Sequence, residues 1–446
     1  MYIPFKKDKP NVESEGNIMK FNPTKYRLMN VDDGRIFEDR GWDLSDSDSA
    51  RPSLVRAVYD CRDFAPREDL EGLYRYAEWL PVRRTLKGSC APVTYKSEGL
   101  AAELGLNSLY ITLSGWCPDR GARMATCSFK ETEAYSVCAR LEEDCRRVLV
   151  VASAGNTARA FAKVCSDNNI PLVISVPADN LGALWFREPL NSCVKIIASP
   201  AGSDYFDSIA LADKVCSDPD FMSEGGAKNI ARRDGMGTTL LSAVEVIGRI
   251  PDAYFQAVGS GTGTIAVWEN NLRLIEDGRW GTHKMRLYPS QNAPFDIMYD
   301  AWSRRSRALT EMDPDYARKA AAQIDAKVLS NRKPPYSLAG GLFDAMQDAG
   351  GEMFLVTNEE LRYWKKRVFE LEGVDIHDAP AVAVASLAAA VRDGLVDRDE
   401  TIMLNVTGAG EEAVKASHDI VYAEPHLVLD PALPAEEIVA AVKGLF

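Results

Sequence analysis

From about residue 108 the chain settles into a repeating pattern. Short runs that are apolar at nearly every position alternate with segments whose apolar residues recur at every third and fourth position. SLYITLSG (108–115), RVLVVAS (147–153), PLVISVP (171–177) and VKIIAS (194–199) have the length and β-branched content of buried strands. Between them, ETEAYSVCARLEEDCRR (131–147), NTARAFAKVCSDNN (156–169) and DYFDSIALADKVC (204–216) carry helical periodicity, and Asn156 or Thr157 stands where an N-cap belongs. YFQAVGS (254–260), MRLYPSQ (285–291) and TIMLNVTG (401–408), again separated by helices, form a second series. Continuous apolar strands alternating with amphipathic helices predict parallel sheet covered on both faces. The residues up to about Arg83 differ: DLSDSDSARPS (43–53) reads as an exposed loop ahead of the helical segment EDLEGLYRYAEWLP (68–81). The pattern divides the chain into an N-terminal extension or cap (1–95), a large α/β domain (96–133 and 246–446) and a smaller inserted α/β domain (134–245).

Composition narrows the class. In 446 residues, 46% hydrophobic content is ample for two cores, and 26% charged residues is ordinary for a folded soluble chain. A net charge of −13 argues against nucleic acid or an anionic membrane as partner, so anionic ligands must be held by a few local donors. No apolar run nears the ~20 residues of a membrane span, and the opening MYIPFKKDKP lacks the apolar stretch of a signal peptide, so a cytoplasmic location is expected. The nine cysteines (61, 90, 117, 127, 138, 145, 165, 193 and 216) form no C-x-x-C pair, and the four histidines (283, 377, 418 and 426) lie later in the chain. No metal site is expected from that spacing, and the thiols read as reduced.

Three segments carry candidate chemistry. GSGTGT (259–264) lies between a strand and a helix, where glycines turn backbone N–H groups toward an anion and the helix dipole assists. It lacks the Lys-Ser/Thr ending of a P-loop and the G-x-G-x-x-G spacing of a dinucleotide turn. ASAGNTARA places Ser153, Gly155, Asn156 and Thr157 at a strand-to-helix turn, suited to a carboxylate or phenolic oxygen. Lys130, in ATCSFKETEA, opens a helix, a position from which a desolvated lysine amine can form a Schiff base.

Their order resembles the threonine synthase branch of the fold-type-II pyridoxal-phosphate enzymes, the tryptophan synthase β-like fold with its active site between two α/β domains. There G-S-F-K-D is followed by S-G-N, a Gly-rich phosphate loop and a Ser or Thr near the C-terminus. The resemblance implies that Lys130 carries pyridoxal 5′-phosphate as a Schiff base and that Asn156 approaches the ring oxygen. It further implies that the backbone of Gly259, Ser260, Gly261, Thr262 and Gly263 holds the phosphate, and that Thr407, in NVTGAG, meets the pyridine nitrogen.

The departures point to one branch. Cys127 stands where the family commonly has Gly, and Glu131-Thr132 where it has Asp-Arg. TCSFKE, EAYSV and SAGNTARAFA are similar to the cysteate synthases, archaeal enzymes of coenzyme M biosynthesis. That resemblance implies a transferase acting on O-phospho-L-serine and sulfite, in the form of a homo-oligomer. Within EGGAKNIARRDGMGTT (224–239), Asn229, Arg232, Gly235 and Thr238 match N-x-x-R-x-E-G-x-K-T, the stretch that recognises the substrate phosphate in threonine synthases, with Asp234 for Glu and Gly237 for Lys. Arg232, Asn229, Ser153 and Thr157 are therefore the expected substrate ligands. Two other readings remain open at this point: threonine synthase, using O-phosphohomoserine and water, and a non-catalytic nucleotide-binding α/β module built on GSGTG.

Overall fold

The apolar runs become the strands of two separate parallel sheets in the computed structural model, which describes residues 21–153 and 155–446. The MYIPFKKDKP opening lies outside the described residues. One sheet has six strands in the order Phe354–Val356, Arg286–Asn292, Ala253–Ala257, Thr401–Val406, Ser108–Leu113 and Val93–Lys96, all parallel except the last pair. The other has five parallel strands in the order Phe221–Ser223, Val148–Ala152, Leu172–Pro177, Val194–Ser199 and Leu427–Val428. The central strands of both are buried along their length, because helices cover both faces and leave no side that needs polar residues. In such sheets ligands collect beyond the carboxyl ends of the strands, and Ser153, Gly259 and Thr407 all follow such ends.

Several local expectations change. The helix that opens at Lys130 stops at Arg140, where Leu141 turns extended (ψ 140°), instead of running to 147. Arg140 is fully buried, donating to Asn229 Oδ1 (2.9 Å) and pairing with Asp39 (2.8 Å), and this anchor ends the helix inside the protein. Neither Asn156 nor Thr157 caps its helix: Gly155 is the N-cap, and both side chains are free for other partners. The helical segment near 68–81 is a 3-10 helix over Gly72–Trp79, kinked at Tyr76.

Two packings cut across the division expected from the sequence pattern. The C-terminal tail, expected in the large domain, lies on the five-stranded sheet. Leu427–Val428 pairs with Val194–Ser199, and helix Ala435–Lys443 buries Ile438, Val439 and Val442 against Val150, Val173, Leu211 and Val215. Helix Ile230–Ile247, expected mostly in the insert, packs instead on helices Lys130–Arg140 and Thr262–Asp277 and on the edge of the six-stranded sheet. Its Gly235 and Gly237 permit that approach: a Cβ at 237 would lie 1.8 Å from Asn270 Nδ2, and one at 235 would lie 2.3 Å from the Thr132 carbonyl.

The N-terminal residues form an antiparallel sheet (Tyr26–Asn30, Ile36–Phe37, Val55–Tyr59) fastened to the large domain by buried charge. Arg233 donates to Val55 O and pairs with Glu269 (3.0 Å), Arg273 donates to Ala57 O (3.2 Å) and pairs with Asp234 (2.7 Å), and Tyr59 donates to Asp234 (2.5 Å). Arg233, Asp234 and Glu269 are at most 1% exposed, so each charge requires its partner.

Candidate active site

The loop that presents Lys130 is stitched to the end of strand Thr401–Val406. Phe129 N donates to Thr407 O (2.9 Å), Ala409 N donates to Cys127 O (3.0 Å), and Ser128 bridges Gly408. Lys130 and Thr407, 277 positions apart, are thus set beside each other by backbone hydrogen bonds. Cys127 adopts φ +58°, a left-handed conformation that explains why glycine suits this position. Burial pushes its thiol up to about 12, so it stays protonated.

The Lys130 side chain is one-fifth exposed and its Nζ donates to Glu133 Oε2 (3.2 Å). Burial lowers the amine's pKa, with Arg232 adding to the effect against the opposing pull of Glu133. Glu133 is fully buried and has two further partners: Thr157 Oγ1 donates to it (2.9 Å) and Arg232 Nη2 pairs with it (3.1 Å). Arg232 Nε also pairs with the buried Glu224 (2.6 Å). Burial alone would lower the guanidinium's pKa, but the two carboxylates outweigh it and hold Arg232 charged. Its Nη1 makes no bond within the described residues, and the side chain keeps 12% exposure. Tyr205, close to the same charges, donates to Ala152 O (3.3 Å) at the end of the strand that leads to Ser153.

Ser153 is nearly buried, and its Oγ accepts from Gly155 N (3.3 Å). Asn156 Oδ1 accepts from Arg159 Nη2 (2.9 Å). The glycine loop leaves strand Ala253–Ala257, the neighbour of the strand that ends before Thr407. Gly261, at φ +77°, turns the chain into helix Thr262–Asp277, whose start no side chain caps except for a contact from Thr262 N to Ser260 Oγ (3.3 Å). The amides of Gly263 and Thr264 are left at the positive end of a 16-residue helix.

The residues present therefore fit pyridoxal phosphate. An amine of lowered pKa is held beside the Thr407 hydroxyl by backbone bonds, and an uncapped helix start after a left-handed glycine follows the neighbouring strand. Asn156, whose Nδ2 has no partner among the described residues, is tied to the loop leading to Lys130 through Arg159. Thr407 is 7% exposed and its hydroxyl has no partner among the described residues.

The substrate ligands expected from sequence divide. Ser153, Thr157 and Arg232 lie with Lys130 around Glu133 and Ala152. Asn229 does not join them: it is fully buried and caps helix Ile230–Ile247. Its Oδ1 accepts from Ala231 N (3.0 Å) and Arg140, and its Nδ2 donates one hydrogen to Glu224 O (2.8 Å), so its polar atoms serve the helix start and the Glu224 segment. Asp234 and Gly237, at the Glu and Lys positions of the threonine synthase motif, face Arg273 and Asn270. Glu133, Glu224, Tyr205 and Arg159 were not singled out by sequence. For Glu133 the one available signal was its position a helical turn after Lys130.

Among known proteins, residues 93–408 match the family model described as pyridoxal-phosphate dependent enzyme. The cysteate synthase of Methanocella paludicola is 46% identical over 395 residues, covering 87% of this chain and 92% of the relative. That of Methanoculleus marisnigri is 45% identical over 406 residues, covering 90% and 93%. Maize serine racemase (TM-score 0.55, 15% identity, 73% of this chain and 91% of the other) has the same fold. So does threonine deaminase isoform 2 from Solanum lycopersicum (TM-score 0.53, 19% identity, 72% and 83%). The chain is an enzyme of the fold-type-II class that uses pyridoxal phosphate and acts on small molecules, and it belongs to the cysteate synthase family of pyridoxal-phosphate dependent enzymes.

Proposed function

We propose that the enzyme carries out a β-replacement on O-phospho-L-serine in which sulfite displaces phosphate to give L-cysteate, a step of coenzyme M biosynthesis. The Cβ–O bond to phosphate breaks, a Cβ–S bond to sulfite forms, and the proton removed from Cα is returned to it. No oxidant or reductant is consumed. The observation that carries this reading is the cluster of Lys130, Glu133 and Arg232, which sets a proton-accepting amine one carboxylate away from an anion-binding guanidinium. The 46% identity with a cysteate synthase supports the choice of substrates.

Pyridoxal phosphate, when bound, supplies the electron sink for the pair left at Cα. Lys130 would hold its aldehyde carbon, Asn156 its ring oxygen, the backbone of Gly259, Ser260, Gly261, Thr262 and Gly263 its phosphate, and Thr407 its ring nitrogen. Lys130 Nζ takes the proton from Cα and later returns it, and a lowered pKa makes the free amine available near neutrality. Glu133 holds Nζ in place through its hydrogen bond. Ser153 and the backbone N–H of Thr157, at the start of helix Asn156–Asp167, receive the substrate carboxylate. Arg232 binds the departing phosphate through its free edge, with Glu133 and Glu224 fixing the guanidinium plane. Asn229 supports Arg232 from the helix cap without touching substrate.

No specific observation favours threonine synthase or a nucleotide-binding module. The domain assignment we propose has a large domain built on the six-stranded sheet and a small one built on the five-stranded sheet, with the residues before about 90 as cap. The reading also implies a cytoplasmic homo-oligomer, whose assembly state sedimentation of the purified protein measures. Incubation with O-phospho-L-serine and sulfite is expected to release phosphate and cysteate in equal amounts. Threonine from O-phosphohomoserine alone, with no cysteate from the first pair, would overturn the proposal.

A further inference from the structure

One buried guanidinium touches three of the segments that the proposed reading assigns to the cofactor. Arg159, 2% exposed, lies one turn into helix Asn156–Asp167. Its Nη2 donates to Thr126 O (2.9 Å), on the loop leading to Lys130, and to Asn156 Oδ1 (2.9 Å). The same Nη2 pairs with Glu411 Oε2 (3.1 Å), four residues beyond Thr407. Two hydrogens serve three acceptors, so one is shared. Nη1 donates to Ala183 O (3.2 Å), and the Trp185 ring lies 4.3 Å from the guanidinium carbon.

Glu411 is itself held in place. Trp185 Nε1 (3.1 Å) and Lys415 Nζ (2.8 Å) both donate to its Oε1. Arg159 and Lys415 keep its carboxyl at about 2 despite partial burial. His377, against the Gly408 turn, has its Nε2 3.7 Å from Glu411 Oε2; burial lowers its pKa to about 4, so it is neutral and does not compete for the carboxylate's charge.

Donor chemistry decides which way the Asn156 amide faces. Arginine has five N–H donors and no acceptor, so the amide must present its oxygen to Arg159. Nδ2, with no partner among the described residues, is then left to donate. If the amide rotated, its oxygen would face an anionic ring oxygen and repel it.

We propose that Arg159, braced by Glu411, is a positioning residue of the cofactor site: it locks the Asn156 amide in its donating orientation and joins the Lys130 loop, Asn156 and the Thr407 turn into one unit. The inference rests on the reading that Asn156 meets the cofactor's ring oxygen. Arg159 itself touches neither cofactor nor substrate.

The test uses the full-length holoenzyme and three variants: Asn156→Ala, Arg159→Lys, which keeps charge but loses the planar fork, and Glu411→Gln, which keeps a hydrogen-bonding oxygen but loses charge. Two readouts are taken, the affinity for pyridoxal phosphate and the pH midpoint of the bound cofactor's absorbance change. Arg159→Lys is expected to weaken affinity about tenfold, ~1.4 kcal/mol. It should also move the midpoint in the same direction as Asn156→Ala, by about one pH unit, and Glu411→Gln should give part of that shift. Combining Arg159→Lys with Asn156→Ala should move the midpoint no further than Asn156→Ala alone. A lowered melting temperature with an unmoved midpoint, or fully additive shifts, would overturn the inference while leaving Asn156 in its role. An unmoved midpoint in Asn156→Ala would overturn the Asn156 reading and the inference with it. Should Arg159→Lys not fold, Glu411→Gln gives the answer on the same midpoint.

Discussion

Glu131, immediately after Lys130, links the site to the stability of the fold. Its carboxyl is 1% exposed and accepts a hydrogen bond from Thr126 N, which closes the turn presenting Lys130. Burial raises its pKa from 4.5 to about 7, and the Thr126 bonds, Lys163 and Arg187 offset only part of that. The folded protein therefore keeps the proton up to about pH 7, while the unfolded chain releases it near 4.5. The resulting stability is complete below 4.5 and is lost as pH rises through 7. Each pH unit of that interval costs about 1.4 kcal/mol, so most of ~3 kcal/mol disappears between pH 5 and pH 8. Glu131→Gln keeps an acceptor oxygen for Thr126 and cannot ionise. Urea unfolding of both proteins at pH 5, 6, 7 and 8 isolates the effect, because other titrating groups cancel in the difference. The stability of the variant relative to the parent should rise by about 2–3 kcal/mol across that range. A pH-independent difference would refute a neutral buried carboxyl, and a difference that falls with pH would mean that Lys163 and Arg187 outweigh burial.

Further outcomes follow from the packing and the charge cluster. Gly237→Lys introduces the lysine of the threonine synthase motif but drives a Cβ into Asn270, so it should lower the melting temperature sharply or abolish soluble expression, with ~3 kcal/mol or more lost. Ile438→Ala opens a cavity under the small sheet, and a loss of about 2–5 kcal/mol in urea unfolding is expected; a loss below 1 kcal/mol would contradict the docking of the tail. Arg232→Met removes the guanidinium that joins Glu133 and Glu224. The value of kcat/KM for O-phospho-L-serine should fall about 100-fold or more with affinity for pyridoxal phosphate nearly unchanged, and a parallel loss of both would argue for a general structural role.

The central strands were legible because parallel strands buried on both faces are apolar without interruption, as in Val148–Ala152 and Leu172–Pro177. The grouping of Lys130, the glycine loop and Thr407 is legible only through the resemblance of their motif order to a known family, because no single one of the three segments carries it. The charge clusters were not legible. Glu133, Arg232 and Glu224 look like solvated charge until tertiary packing buries them together, and Arg159 gives no local sign of reaching Glu411, 252 positions away. Asn229 matched a ligand motif, yet a residue before a helix start is also a cap, and burial decided for the cap. The tail went astray for a similar reason: a two-residue strand such as Leu427–Val428 carries no signal of which sheet it joins.

The central claim is that Lys130 carries the cofactor. Reduction of the yellow holoenzyme with borohydride, followed by peptide mass analysis, tests it directly. The pyridoxyl group should be fixed to the peptide containing ATCSFKETEA at Lys130, and Lys130→Ala should lose both the label and cysteate formation. A label on any other lysine, or full turnover by Lys130→Ala, would contradict the account.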